Sequence, residues 1–377
     1  MKYLAILGRQ PEISMAELEA LFGDKWQQIS FPDGSVLAVY DKKSSSSFLG
    51  DEKVLFDINR LGGCLKFAIQ IKQSPLEYLS KVPEGKITIG ISDYSKNASR
   101  KTAQLEGLKL KKILVRHGRS VRVVENKEAV LSTATSLHNG LSGKNERKVE
   151  LIKLDADWFR VVGVQDIEAY AKRDQARPAR DAKVGMLPPK LAQILINLCG
   201  VIPKDATILD PFCGTGVVLQ EALLMGYRAY GTDIDERMVQ FSEKNLKYFD
   251  FSNYKVELGD ATNYNWTEKI DAVACEGYLG KPFSNIPTEM ERKEQKQKCK
   301  AIVLDFLKNL IKQIEVNTPV VIAVPAWLYK DNSYERLDIL DDISDMGYNV
   351  DNKTRRGILY HRDGQVVARD ILILRKK

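Results

Sequence analysis

An α/β protein is predicted, with a doubly wound, mostly parallel sheet in its carboxy-terminal half, closed by a hairpin, and α+β units in front of it. Three observations predict it. After residue 186, apolar runs of strand length alternate with runs of helix length five times, the pattern of strands joined by crossover helices. One such run, Ala206 to Leu209, passes into Asp210-Pro211-Phe212-Cys213-Gly214-Thr215-Gly216 and then a helix. Two further strands also end in an acid, Asp233 and Asp260, at the edge of the sheet where ligands bind in such folds.

The first unit, residues 1–74, opens on a strand, Tyr3 to Leu7. A helix from Ser14 to Phe22 follows, with Ser14 and Glu17 spaced as a capping box and Gly23 as its stop. Val36 to Tyr40 and Leu65 to Ile71 read as strands, with the serine run Ser44 to Ser47 as a loop. The second unit, residues 75–164, has strands at Lys86–Ile91, Val121–Val124, Val149–Leu154 and Phe159–Val164. Its helices run from Ser99 to His117, with Leu105, Leu108, Leu110, Ile113 and Leu114 as the buried side, and from Glu128 to His138. Residues 165–186 are charged, lack apolar periodicity and read as a linker. In the third unit, residues 187–377, strands are expected at 206–209, 227–233, 254–260, 270–276 and 320–324, with helices between them. A hairpin then pairs Gly357–Tyr360 with Val366–Leu374 around Asp363-Gly364.

Composition bounds the function. The 377 residues are 44% hydrophobic and 28% charged, which is the balance of a soluble globular protein with a large core. No apolar run approaches the roughly 20 residues a membrane helix needs. The apolar start is too short for a signal peptide. The five cysteines are scattered and the three histidines lie far apart, so reduced thiols, no metal site and a cytoplasmic protein are expected. Net charge is +7, and between Lys86 and Arg122 ten Lys or Arg face two acids. Such a stretch suits a polyanionic partner.

The loop at Asp210 selects a cofactor class. Strand, glycine loop and helix N-terminus form a nucleotide cradle, and Asp233 follows Gly214 by 19 residues, where an acid takes ribose hydroxyls. A dinucleotide unit, or a turn without ligand, is the alternative. Against the dinucleotide, the third fingerprint glycine is absent, and Asp210 would repel a pyrophosphate. S-adenosylmethionine carries an amine and a sulfonium and no phosphate, which favours it.

With Gly231-Thr232-Asp233-Ile234-Asp235 and Gly259-Asp260-Ala261, the loop resembles those of the class I S-adenosylmethionine-dependent methyltransferases. Arg173 to Asp181, Leu187 to Ala192 and the tail Leu359 to Arg369 resemble, among these, the THUMP-containing tRNA guanosine-N2 methyltransferases of the Trm-eleven type. The resemblance implies a cofactor site of Asp210, Phe212, Cys213, Gly214, Gly216, Asp233, Ile234, Asp260 and Ala261. It also implies a ferredoxin-like and a THUMP-like RNA-binding domain in the amino-terminal half, tRNA or another structured RNA as partner, and a small activator subunit as a further partner to test.

In that group the strand after the third acid ends in an Asp/Asn-Pro-Pro-aromatic loop. Here the chain reads Ala274-Cys275-Glu276-Gly277-Tyr278: an acid is kept, both prolines are missing and the aromatic sits one place early. Three readings stand open. Glu276 accepts from a guanine amine while Tyr278 stacks on the base; or the site has altered or lost its activity and the protein binds RNA; or Cys275 is the nucleophile of a pyrimidine C5 transfer. Lys96, Arg100, Lys101, Arg177 and Arg180 are candidates for RNA phosphates, with solvated surface as the alternative. Trp327 is a candidate for stacking or for the core.

Overall fold

A computed structural model describes residues 1–377 except 32–33, 42–56, 182–185, 330 and 363. The serine run Ser44 to Ser47 and Asp363 of the tail turn lie outside the described residues. The chain divides into two compact units, Met1–Ala169 and Tyr170–Lys377.

The strands of the first unit are β1 (Lys2–Leu7), β2 (Trp26–Ser30), β3 (Val36–Asp41), β4 (Cys64–Gln70), β5 (Ile87–Asp93), β6 (Val121–Val123), β7 (Lys148–Leu154) and β8 (Asp157–Val164). They form one sheet in the order β2-β3-β1-β4-β8-β7-β5-β6. The sheet crosses the expected boundary at residue 74 because β4 pairs antiparallel with β8, Phe67 opposite Gly163. A buried ion pair ties β4 to β7 as well: Lys66 Nζ lies 2.5 Å from Glu150 Oε1, and the hydroxyls of Ser92 and Ser136 also donate to that carboxylate.

Two local expectations are corrected here. The first helix starts at Pro11, and Glu17 makes no capping box. Glu17 is fully buried and accepts from the amides of Gly62 and Gly63 at 2.9 and 2.8 Å, so burial with two donors outcompetes the local cap. The helix Arg100–Arg116 buries Ala103, Gly107, Leu110 and Leu114, leaving Leu105 and Leu108 each 45% exposed. Its small residues set the phase. A Cβ on Gly107 would meet Val123 at 2.8 Å, so this face approaches the sheet more closely than a leucine face could.

The boundary between the units falls inside a helix, Ile167–Gln175, which occupies the first half of the expected linker. The second unit contains β9 (Thr207–Asp210), β10 (Arg228–Asp233), β11 (Tyr254–Leu258), β12 (Ala272–Glu276), β13 (Pro319–Leu328), β14 (Tyr334–Glu335), β15 (Tyr348–Val350), β16 (Leu359–Tyr360) and β17 (Val367–Lys376). The main order is β11-β10-β9-β12-β13-β17-β15. Strands β9 to β13 pair parallel, and β17 enters antiparallel beside β13. Every residue of β9 is buried, as are the first nine of β13, as expected where helices cover both faces. The order reverses between β9 and β12, which opens a crevice at their carboxyl ends.

The run Glu289 to Lys300 is the first half of a single helix, Glu289–Leu310, with a capping box of Thr288 and Glu291. Trp327 is fully buried among Leu307, Ile322 and Tyr348, so it serves the core. No described helix is long and apolar enough to cross a membrane.

Candidate active site

The glycine loop is shaped by backbone bonds that its sequence permits. Asp210 closes β9 and accepts from the Phe212 amide at 3.1 Å. The Cys213 amide reaches over to the Thr232 carbonyl of β10 at 2.9 Å. Gly216 has φ +81°, and a Cβ there would come within 2.9 Å of Ser242 Oγ. That hydroxyl donates to the Gly214 carbonyl at 2.8 Å. Only glycine fits at this position.

Asp233 holds the loop as well as facing the crevice. Its Oδ2 accepts from the Gly214 amide and its Oδ1 from the Asp235 amide, both at 2.9 Å. Each oxygen keeps a second lone pair for a ligand hydroxyl. Asp260 Oδ1 accepts from the amide and hydroxyl of Thr262 at 2.9 and 2.8 Å. Burial pushes Asp233 above the usual carboxylate range. It pushes Asp210 well above that range, with the charges of Asp233 and Glu276 adding to the effect.

These residues line one cavity of about 540 Å³ together with Ile234, Ala261, Glu276 and Tyr278. Of the residues predicted for cofactor and target, all but Gly216 line it; Gly216 stands behind, as the turn. The donor set suits a cationic adenosine ligand. Asp210 is a nearly buried carboxylate aimed where an amine or sulfonium would relieve it. Ile234 is 72% exposed at the mouth, an apolar face for a flat ring to cover. Cys213 is buried, its thiol pushed well up by burial, and it serves as a small wall residue.

The second loop is held from farther away. Gly277 donates to the Ala323 carbonyl at 2.9 Å. Gly280 has φ +84°, with Gln295 Oε1 2.9 Å from the place of a Cβ, and the same oxygen accepts from the Lys281 amide at 3.0 Å. Lys298 Nζ lies 5.1 Å from the Tyr278 ring centroid, close enough for a cation–π contact. Glu276 Oε1 accepts from Arg369 Nε at 2.5 Å. Lys298 and Arg369, together with Asp181 and Arg237, which pair at 2.8 Å at the cavity wall, were missed by sequence reasoning. Asp181 and Arg369 end two of the stretches that carry the family resemblance, but neither stretch says which charge its last residue meets.

Two expectations change at this point. Cys275 is fully buried in the apolar core, and burial raises its thiol well above the usual range, so it is a packing residue and no accessible nucleophile. Arg177 is 3% exposed. Its guanidinium goes to Asp174 at 3.1 Å and to Thr215 of the glycine loop at 3.4 Å, so a phosphate has no access to it. Lys96, Lys101 and Arg180 are exposed, and Arg100 is exposed beside Glu125.

Comparison with known proteins gives partial sequence matches to methyltransferases. A family profile described as a methyltransferase domain matches residues 202–334, and one described as a DNA methylase matches residues 94–244. The chain is 40% identical over 121 residues to a tRNA (guanine(10)-N2)-dimethyltransferase of Methanothermobacter thermautotrophicus, covering 32% of this chain and 36% of that one. It is 30% identical over 171 residues to the enzyme of the same name from Methanocaldococcus jannaschii, covering 43% and 48%. The matched stretch thus spans less than half the length of either relative. The crystal structure of TrmN from Thermus thermophilus aligns over all of both chains at 16% identity, with a TM-score of 0.48. The match to a methyltransferase domain falls within the carboxy-terminal unit, Tyr170–Lys377.

Proposed function

We propose that the protein methylates the exocyclic N2 amine of a guanosine in tRNA. The observation that carries the reading is the joining, in one cavity, of a cation-seeking acid cradle with Glu276 and Tyr278. Bound S-adenosylmethionine supplies a methyl group on a sulfonium. Asp210 and Asp233 orient the cationic and ribose ends by charge and hydrogen bonds. Glu276 accepts an N–H of the target amine, which turns the nitrogen lone pair toward the methyl group. Tyr278 stacks on the base. Held there, the sulfonium would give up its methyl group to the amine nitrogen and depart as the neutral thioether, and the amine proton would leave toward Glu276 and solvent. Positioning supplies most of such a catalysis, and a base inside folded RNA must first flip out. The relatives' printed names support guanine N2 as the target.

The amino-terminal unit takes the RNA-gripping role, with the ferredoxin-like part at 1–74 and the THUMP-like part at 75–164. Lys96, Arg100 and Lys101 are its candidate phosphate contacts, Arg180 of the second unit is a further one, and a small activator subunit is a partner to test by co-purification. The deciding experiment is transfer of labelled methyl from the cofactor to unmodified tRNA, followed by nucleoside mass analysis. N2-methylated guanosine is the expected product. No transfer to any tRNA pool removes the reading in favour of an RNA-binding protein with a cofactor fold, and methylation of another atom moves the target.

A further inference from the structure

Arg369 lies 93 positions after Glu276 and two strands away. In the register, Glu276 of β12 stands beside Ala323 of β13. Ala323 stands beside Ile371 of β17, and Arg369 beside Pro325. Glu276, Ala323, Ile371 and Arg369 therefore share one face of the sheet, and the arginine reaches the acid across a strand that carries only a methyl group at that place. Asp370, the next residue, points to the other face and pairs with Arg336 at 2.6 Å. Consecutive residues of β17 thus make two arginine–acid pairs, of which only one involves the cavity. The Arg369 side chain is 9% and the Glu276 side chain 19% exposed. Among the described residues, Oε2 of Glu276 takes no hydrogen bond.

We propose that Arg369 is a positioning residue that occupies Oε1 of Glu276 and turns Oε2 into the single side-chain acceptor for an N–H of the target amine. The inference rests on the guanosine-N2 reading above. Two physical reasons favour it. A glutamate has one more rotatable bond than the aspartate or asparagine usual in such loops, and the two prolines that would stiffen the loop are absent; an ionic hydrogen bond to one oxygen restores the lost order. Glu276 also adds to the acidity around Asp210. A guanidinium on the far side offsets that charge and leaves the cation-seeking role to Asp210 and Asp233.

The test compares binding of guanosine 5′-monophosphate and inosine 5′-monophosphate, which lacks the 2-amino group, to the full chain in the presence of S-adenosylhomocysteine. The wild type is expected to prefer the guanine nucleotide about tenfold, the scale of one net hydrogen bond. Arg369→Met and Arg369→Gln are expected to lose most of that preference, and Arg369→Lys to keep part of it. Affinity for S-adenosylhomocysteine should be unchanged in all three. Arg336→Met breaks the pair on the opposite face, so it should lower the melting temperature and keep the preference. In a Glu276→Ala background, Arg369→Met should change nothing further, because its partner is gone. Full preference in Arg369→Met, or in Arg369→Gln if the first variant does not fold, overturns the role of Arg369. No preference in the wild type overturns the guanine-amine reading and this inference with it.

Discussion

The two loops at the carboxyl ends of β9 and β12 line the same cavity and are built in opposite ways. The loop Asp210–Gly216 is held by near neighbours in the sheet: the amides of Cys213 and Gly214 go to Thr232 and Asp233 of the adjacent strand, and Gly216 makes the turn. The loop Glu276–Lys281 is held by Gln295, on the helix that follows it, and by Arg369, near the end of the chain. The first is therefore a self-contained cradle that reads as a motif. The second depends on partners that no local pattern predicts, and its role can change without disturbing the cofactor.

The widest separation of the two loops is expected from Glu276→Ala. It should lower the rate of methyl transfer about 100-fold or more, the scale for losing a group that acts in the transition state, and leave cofactor affinity by calorimetry unchanged. A parallel fall in cofactor affinity would merge the two loops into one unit. Asp233→Ala should do the reverse. It removes a carboxylate that accepts from two loop amides, and at about 1.5–3 kcal/mol for hydrogen bonds to a charged group cofactor affinity should fall about 10- to 100-fold. Unchanged affinity would refute the ribose assignment.

Asp210 gives a smaller effect with a distinctive sign. Its folded pKa lies well above the ordinary value of 3.8 because of burial. Its contribution to the stability of the ligand-free protein is therefore fully present below that ordinary value and is lost as pH rises through the folded one. Asp210→Asn should raise the melting temperature of the ligand-free protein at neutral pH, with little change at pH 4, while weakening cofactor binding at neutral pH. Differential scanning calorimetry at the two pH values reads the first, and titration calorimetry the second. A lower melting temperature at neutral pH would show that Asp210 is stabilising where it sits. The smallest effect is expected from Cys275→Ala, which should cost stability on the order of 1 kcal/mol through a small cavity and leave transfer intact. Loss of transfer at normal cofactor affinity would return the cysteine to the chemistry.

The cavity wall from Asp210 to Asp260 was legible because its determinants are local. An acid at a strand end, two glycines at a turn and an acid 19 residues on each act through backbone geometry. The five parallel strands were legible for the same reason, since a strand buried on both faces is a continuous apolar run. Signals that required knowing which side of an element faces inward fared worse. Glu17 looked like a helix cap and became a buried acceptor for Gly62 and Gly63. Leu105 and Leu108 looked like core and face outward, because Gly107 sets the contact with β6. Arg177 looked like a phosphate contact and is buried under the glycine loop.

By itself, then, the sequence determined the α/β class of the carboxy-terminal unit, the cradle from Asp210 to Gly216 and the acids at Asp233, Asp260 and Glu276. Only the tertiary structure decided which charges meet. Arg369 reaches Glu276 because β17 runs antiparallel beside β13 and Ala323 between them is small. Strand order and direction are set by packing over the whole sheet, and no short stretch of sequence encodes them.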